Sequence, residues 1–600
     1  MDQKSERTAA TRREAMLLLT AAGAMGAAGC ASTSAEAVTP LPKPIAGALP
    51  MIDGHCHTFN AKDISPTRFI RYAFLEHYPG PEELALVSGG PETPDLLDGI
   101  IATAMVLVGA TRAPSVEKEI AHLDKGSGGG DAAKADDVAT AERLATFLGR
   151  TPRVRSDDVG ADYRARGEAY VYQEVMEQGG GRALVSGKRP DAGDRRAIAD
   201  AFLSGAGADR VSVAGRKLNL LQLFKWLGLF SAYRSTLVDK LARRHLQAGW
   251  EPVMMVPAMV DFARFVREEP AMPLQEQVRV WDRIARRPDG PAVHGYVAFC
   301  PLRQAEWTHA PARWRIGPEP LKLVEDALTL HGFLGVKLYP PMGFQAQGNA
   351  KRDFGRYPFS TDVLQDRFGP VSKDEALARN QQLGGEIDEA LTGLYALCER
   401  LDAPIMAHGG PGNAVKRYYG ELSDPSLWRP LFGPRSVRPL RIMLAHYGAF
   451  KDTTIDPAWK DAPWPANTKE AVIARYLQTA RDAPVVVDMS MFTEAITLQG
   501  ADRDRVITAF GRFMRTVGED HMVFGTDWTM LGLQKGEEAY DARMLLFLRD
   551  AGLDPDRIDK VLRRNFVRFA GLEPGQPSRQ RLDAFNASYG QPNRLARLDA

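Results

Sequence analysis

From Gly249 onward, short apolar runs alternate with helical segments, and this alternation limits the fold more than any other feature of the sequence. Residues 252–260, 294–300, 333–339, 404–408, 441–446, 484–489 and 522–527 read as strands. Helical patterns fill residues 274–287, 318–331, 385–401, 425–435, 468–481, 501–517 and 535–550. Strands separated by helices pair in parallel, because a parallel neighbour needs a crossover connection. A further short strand at Met51 and Ile52 brings the number to eight. The expected fold is therefore α/β, a (β/α)8 TIM barrel. A doubly wound open sheet is the competing fold. It does not explain why polar residues gather at C-terminal strand ends and none lies in a glycine-rich phosphate loop.

The strand ends carry the chemistry. The first strand runs into Asp53-Gly54-His55-Cys56-His57. Side chains alternate along a strand, so His55 and His57 share one face and Cys56 takes the other. Two imidazoles on one side of a strand end form a ready pair of metal ligands, although an isolated H-x-H is as readily an ordinary polar pair. The fourth strand carries Lys337 in GVKLYPP. The fifth ends in His408 (APIMAHGGPG), the sixth in His446 (RIMLAHYGAF) and the eighth in Asp527 (MVFGTDWTM). In a closed parallel barrel such ends converge on one mouth, where active sites form. Each histidine taken singly reads equally well as structural; four of the eleven at strand ends, with one aspartate, point to a site.

This order of H-x-H, Lys, His, His and Asp resembles the amidohydrolase superfamily. The phrases GVKLYPP, MAHGG, LAHYG and FGTDW are most similar to its amidohydrolase-related branch, as is the closing segment from Asn565 to Leu572. The resemblance implies a divalent metal held by His55, His57, His408 and Asp527, zinc before manganese and one ion before two. It implies that Asp527 also moves the proton of the attacking water. His446 would orient the substrate, stabilise an oxyanion or bind a second metal. Lys337 stays open between a carbamylated bridge, a substrate-binding cation and a structural rim residue. Phe59, Tyr339, Tyr447 and Trp528, with Met342, Met491 and Met530, lie at or just after strand ends and read as an apolar substrate pocket or as rim packing. Arg303, in CPLR after the third strand, reads as a partner for an anionic substrate group or as a surface pair. Glu386 and Asp388 read as a solvated helix face.

The remaining chain frames this barrel. Residues 1–30 read as an export signal: Arg12-Arg13 before an apolar run suggests twin-arginine export. Ala28-Gly29-Cys30 resembles a lipoprotein cleavage box with Ala27 where leucine is usual, which makes Cys30 the lipidation candidate. Cleavage a little later would give a soluble periplasmic protein. Residues 31–50 read as a flexible tether. The barrel then takes 51–60 and 249–572, a mostly helical insertion takes 61–248, and 573–600 form a C-terminal tail. Within the insertion, 218–241 reads as one amphipathic helix. Cys56, Cys300 and Cys398 are too few and too scattered for a disulfide framework and read as buried small apolar residues. A net charge of +1 with mixed signs, and no basic tract, argues against a nucleic-acid partner. The membrane enters only through the lipid, and a homo-oligomer is left open. The expected function is a metal-dependent hydrolase that cleaves an amide, ester or lactone carbonyl of a small molecule. One alternative is a decarboxylase or hydratase of the same family acting on an aromatic or unsaturated acid. The other is a non-catalytic binding or scaffold lipoprotein.

Overall fold

The computed structural model describes residues 41, 47–64, 69, 96–107, 109, 112–125, 132–150, 162–179, 191–204, 226–311, 315, 317–410, 414–433, 435–446, 469–479, 482–533, 537–590 and 594–599. The export signal, Cys30, Tyr447 and most of the tether lie outside them. Two compact units divide the chain. One holds residues 59–118 and 126–237; the other holds 41–58, 119–125 and 238–600.

Among the described residues of the larger unit every paired strand is parallel, so it is a mixed α/β structure built by crossovers. The strands are β1 (Leu49–Cys56), β2 (Trp250–Pro257), β3 (Ala292–Val293), β4 (Tyr296–Ala298), β5 (Gly335–Leu338), β6 (Ile405–His408), β7 (Ile442–Ala445), β8 (Val485–Asp488) and β9 (Met522–Val523). They pair in chain order as β1-β2-β3 and β4-β5-β6-β7-β8-β9. A parallel bridge, Ala258 to Tyr296, joins the line of β2 to β4. At the other end Gly54 N donates to Phe524 O at 3.1 Å and Thr526 N to His55 O at 3.0 Å. Strand register places Lys337 beside Met406 and Met406 beside Met443, while His408 lies beside Ala445. Register partners point to the same face, so these residues stand on the inner side with Met443, Ala445, Val486 and Val523 of the core.

The third expected strand is interrupted rather than continuous. Gly295 passes so close to Pro257 that a Cβ there would stand 2.5 Å from its carbonyl oxygen, and His294 turns its Nδ1 to Gly332 O at 2.7 Å. The last expected strand stops at Val523. Beyond it the amides of Thr526 and Asp527 both turn to His55 O. Glu386 and Asp388 are not a solvated face. Glu386 is buried in a two-point pair with Arg367, and Asp388 accepts from the backbone amides of Asn349 and Ala350. Cys56, Cys300 and Cys398 are free and buried. The chain after Leu572 packs as the helix Pro577–Ala587, whose Arg581 donates to the carbonyls of Leu328, Phe333 and Leu334.

In the smaller unit the helices Leu96–Leu107 and Tyr163–Gly179 pack together, as do Ala132–Leu148 and Ala192–Ser204. The Phe59 ring lies 5.5 Å from that of Phe230, and the buried Arg234 guanidinium is paired with Asp63. The expected helix over 218–241 is broken at a turn near Ser231. The described helix is Arg234–Gln247, and Leu220, Leu221 and Phe224 lie outside the described residues.

His245 is fully buried, with Nδ1 2.7 Å from Asp541 and Nε2 3.4 Å from Asp53. Burial opposes its charge, but the carboxylates of Asp541 and Asp53 outweigh that and raise its pKa from 6.5 to about 9. A folded-state value above the unfolded one means that proton binding favours folding. This stabilisation is complete below about pH 6.5 and lost as pH rises through about 9. We predict that His245→Phe, which strands two buried carboxylates, lowers stability by about 3–5 kcal/mol at pH 6. The gap to wild type in denaturant melts should narrow between pH 7 and 10; a gap constant over that range contradicts the assignment.

Candidate metal centre

His55 lies near the end of β1 and His57 just past it, and both present the same nitrogen to one point. His57 Nδ1 lies 2.8 Å from the carbonyl of Ala258. A carbonyl only accepts, so Nδ1 carries a proton, and in the neutral tautomer the lone pair is on Nε2. His55 Nδ1 lies 2.7 Å from the Asp488 carboxylate, which fixes the same tautomer. The two Nε2 atoms stand 3.3 Å (His55) and 3.2 Å (His57) from Asp527 Oδ1. Donors bound at about 2.0–2.1 Å to a tetrahedral zinc lie roughly 3.3–3.4 Å from one another. These separations fit such an ion, and all three donors lie within 4.8 Å of each other. Two imidazoles and a carboxylate with space for a further ligand are the donor chemistry of a catalytic zinc site.

The electrostatics agree. Burial first, and Lys337 second, push His55 down to about 3, so its ring is neutral and its lone pair available. Burial works against charge on Asp527, yet His446, His57 and His55 hold its carboxyl below the usual carboxylate range. Asp488 is likewise buried and likewise held low, chiefly by His55. His55, His446 and Asp488 form a second convergent group. Hydrogen bonds account for it: the 2.7 Å contact of His55 Nδ1 with Asp488 uses the proton, and His446 N donates to Asp488 Oδ1 at 2.9 Å. Three residues at this mouth, His446, Met491 and Asp527, have left-handed φ of 57°, 56° and 58°. Such non-glycine conformations cost about 1–3 kcal/mol each and persist only where surroundings impose them. Here the imposing contacts are the amide of His446 on Asp488 and that of Asp527 on His55 O at 2.7 Å.

The other expected site residues divide. His446 joins the centre, with Nε2 4.0 Å from Asp527 Oδ1. Lys337 is buried, with Nζ 3.4 Å from His55 Nε2 and 3.0 Å from Met406 Sδ. Burial lowers its pKa to about 8 against the pull of Asp527 and Asp488. His408 stands one ring away, its centroid 4.5 Å from His446 and 4.3 Å from Tyr339, outside the convergent donor set. Tyr339 packs edge-on to Phe262 at 4.9 Å. Trp528 is 3% exposed and offers its carbonyl to the amide of His57. Phe59 belongs to the smaller unit. Of the two readings of Arg303, substrate partner or ion pair, the geometry shows the ion pair. Its guanidinium makes four hydrogen bonds to Asp261 and Glu269, which occupy the donors an anionic substrate would need.

Asp488, Ser490 and Asp53 also belong to the centre. Ser490 Oγ lies 2.9 Å from His446 Nδ1 and 3.0 Å from His55 Nδ1, and donates to Asp488. Asp53 accepts from Thr526 N at 3.1 Å and Thr526 Oγ1 at 2.7 Å, which ties β1 to the segment carrying Asp527. The signal for Asp488 was present: it ends the otherwise apolar VVVD strand.

The amidohydrolase family model matches residues 247–572, more than half of the chain. No curated protein matches. Among solved structures, 5-carboxyvanillate decarboxylase LigW from Sphingomonas paucimobilis is similar at 12% identity, over 62% of this chain and 94% of that one, with a TM-score of 0.33. A Lactobacillus casei protein provisionally assigned as a metal-dependent hydrolase is similar at 12% identity, over 88% and 96%, with a TM-score of 0.33. The 2,6-dihydroxybenzoate decarboxylase from Rhizobium is similar at 16% identity, over 56% and 88%, with a TM-score of 0.29.

Metal titration of the purified chain should give one tightly held equivalent, abolished by His57→Ala. Asp488→Asn removes the carboxylate that orients His55, and loss of such an outer partner weakens metal binding by about 10–100-fold. Unchanged affinity in Asp488→Asn would contradict the orienting role.

Proposed function

The chain belongs to the amidohydrolase family of metal-dependent enzymes, and from that premise we propose that it hydrolyses an amide, ester or lactone carbonyl of a small molecule. The observation that carries this reading is the convergence of His55 Nε2, His57 Nε2 and Asp527 Oδ1. We assign zinc to these three donors, with manganese as the alternative. We also place His408 as a further ligand, reached by a change of rotamer. Held by these residues, a divalent ion would supply Lewis acidity, which would lower the pKa of a water towards about 7 and polarise a carbonyl.

The protein groups supply the rest. Asp527 is ionised and buried, so it is an acceptor for a proton released beside Oδ1 and a donor of that proton to a leaving group. His446 faces the same oxygen through Nε2 at 4.0 Å and orients the substrate there. Tyr339 and His408 form an aromatic wall beside it. The hydrogen bonds that join the end of β9 to β1, and β2 to β4, support a closed eight-stranded barrel. Export through the twin-arginine signal and anchoring at Cys30 would place the enzyme in the periplasm, and the helical segment between β1 and β2 would be an insertion in this barrel.

Lys337 favours a second reading. A buried cation 3.4 Å from His55 Nε2 is placed to hold a substrate carboxylate, as a decarboxylase or hydratase requires. Product analysis separates the two readings. Metal-loaded protein incubated with small esters, lactones and amides should release one acid per turnover, and Asp527→Asn should lower the rate by about 10²–10⁴-fold. Carbon dioxide release from aromatic acids, without ester or amide cleavage, would replace hydrolysis with decarboxylation. Lys337→Met should retain one metal equivalent with tighter binding, because the ammonium and the ion draw on one lone pair. Loss of a second equivalent would instead make Lys337 a carbamylated bridge.

A further inference from the structure

We infer that Ser490 is a positioning residue that fixes which nitrogen of His446 carries the proton. This rests on the reading above only in taking His446 to face the substrate. Asp488 is fully buried and both its oxygens face hydrogen-bond donors, so it acts here as an acceptor. Four groups converge on it: His55 Nδ1 on Oδ2, and on Oδ1 the amide of His446 at 2.9 Å, the amide of Ser490 at 3.0 Å and the Ser490 hydroxyl. Three of the four donors crowd Oδ1, which offers about two lone-pair directions, so that oxygen has no direction left for a further donor.

The consequence for His446 follows from counting protons. Ser490 has one hydroxyl hydrogen. Its oxygen lies in hydrogen-bond contact with an Asp488 oxygen, so that hydrogen must point to Asp488; turning it away would leave two buried oxygens in repulsive contact. The Ser490 oxygen is then an acceptor towards His446 Nδ1 at 2.9 Å; His55 Nδ1, 3.0 Å away, already directs its one proton to Asp488. His446 Nδ1 must therefore carry a proton. In the neutral ring this leaves the lone pair on Nε2, the atom that faces Asp527 Oδ1. Asp488 sets His55 directly and His446 through Ser490, so one carboxylate on β8 orients a metal ligand and its neighbour together. The left-handed backbone of His446 fits the same device, since it brings the amide of His446 onto Asp488.

The test needs no substrate. Full-length protein labelled with ¹⁵N-histidine is loaded with zinc, and its imidazole tautomers are read by long-range ¹H–¹⁵N correlation, with His446 assigned by its absence in His446→Gln. Wild type should show His446 protonated at Nδ1. Ser490→Ala removes the acceptor and should move His446 to a mixture rich in the Nε2-protonated form; Ser490→Thr, which keeps the hydroxyl, should restore the wild-type pattern. An Nε2-protonated His446 in wild type, or an unchanged tautomer in Ser490→Ala with the rest of the spectrum intact, overturns the inference. Metal content of the same samples reports separately on the metal-centre reading. Absence of bound zinc with an Nδ1-protonated His446 sinks that reading and leaves this inference standing.

Discussion

β1 carries His55 and leads directly into His57, and it is held at the end of β9 by contacts that tolerate little change. The backbone bonds Gly54 N to Phe524 O and Thr526 N to His55 O set the approach. Asp53, buried beneath them, takes the amide and hydroxyl of Thr526 and one nitrogen of His245. Two glycines make the approach sterically open. A Cβ at Gly54 would stand 2.6 Å from the Phe566 ring, and one at Gly525 would stand 2.8 Å from His55 Cβ. Without this junction His55 and His57 would have no reason to meet Asp527.

The junction also explains why buried charge is concentrated on one side of the centre. Asp53, Asp541, Asp488 and Asp527 are all nearly or fully buried, and each faces a histidine. Leaving any one uncompensated would cost several kcal/mol. Each carboxylate is matched: His245 as a cation serves Asp53 and Asp541, while His55 and His57 donate through Nδ1 to Asp488 and to Ala258 O and turn Nε2 towards Asp527. Charge pairing thus produces oriented lone pairs at the mouth, which is the property a divalent ion needs.

Much of this was legible in the sequence. Period-two reasoning placed His55 and His57 on one face, and the strand-end positions of His408, His446 and Asp527 marked the mouth. The parallel α/β pattern from Gly249 agrees with the described strands and with the family match over 247–572. That match begins well after β1, so the two histidines lie outside it and their place depends on H-x-H spacing and on geometry. What escaped reading was set by long-range partners. Asp488 shares the face of Ala445 and His408 through strand register, but its role depends on His55, 433 positions away. Arg303 and Glu386 looked available because their partners, Asp261 with Glu269 and Arg367, are brought in by folding. Periodicity could not locate the turn at Ser231, because the apolar stripe continues across it.

The most direct test of the central claim is anomalous diffraction from zinc-soaked crystals of the full-length protein, recorded on both sides of the zinc edge. A single anomalous peak within about 2.0–2.2 Å of His55 Nε2, His57 Nε2 and Asp527 Oδ1 is the predicted result. A peak bound through His55 Nδ1 and Asp488, or none at the mouth of the strands, would contradict it.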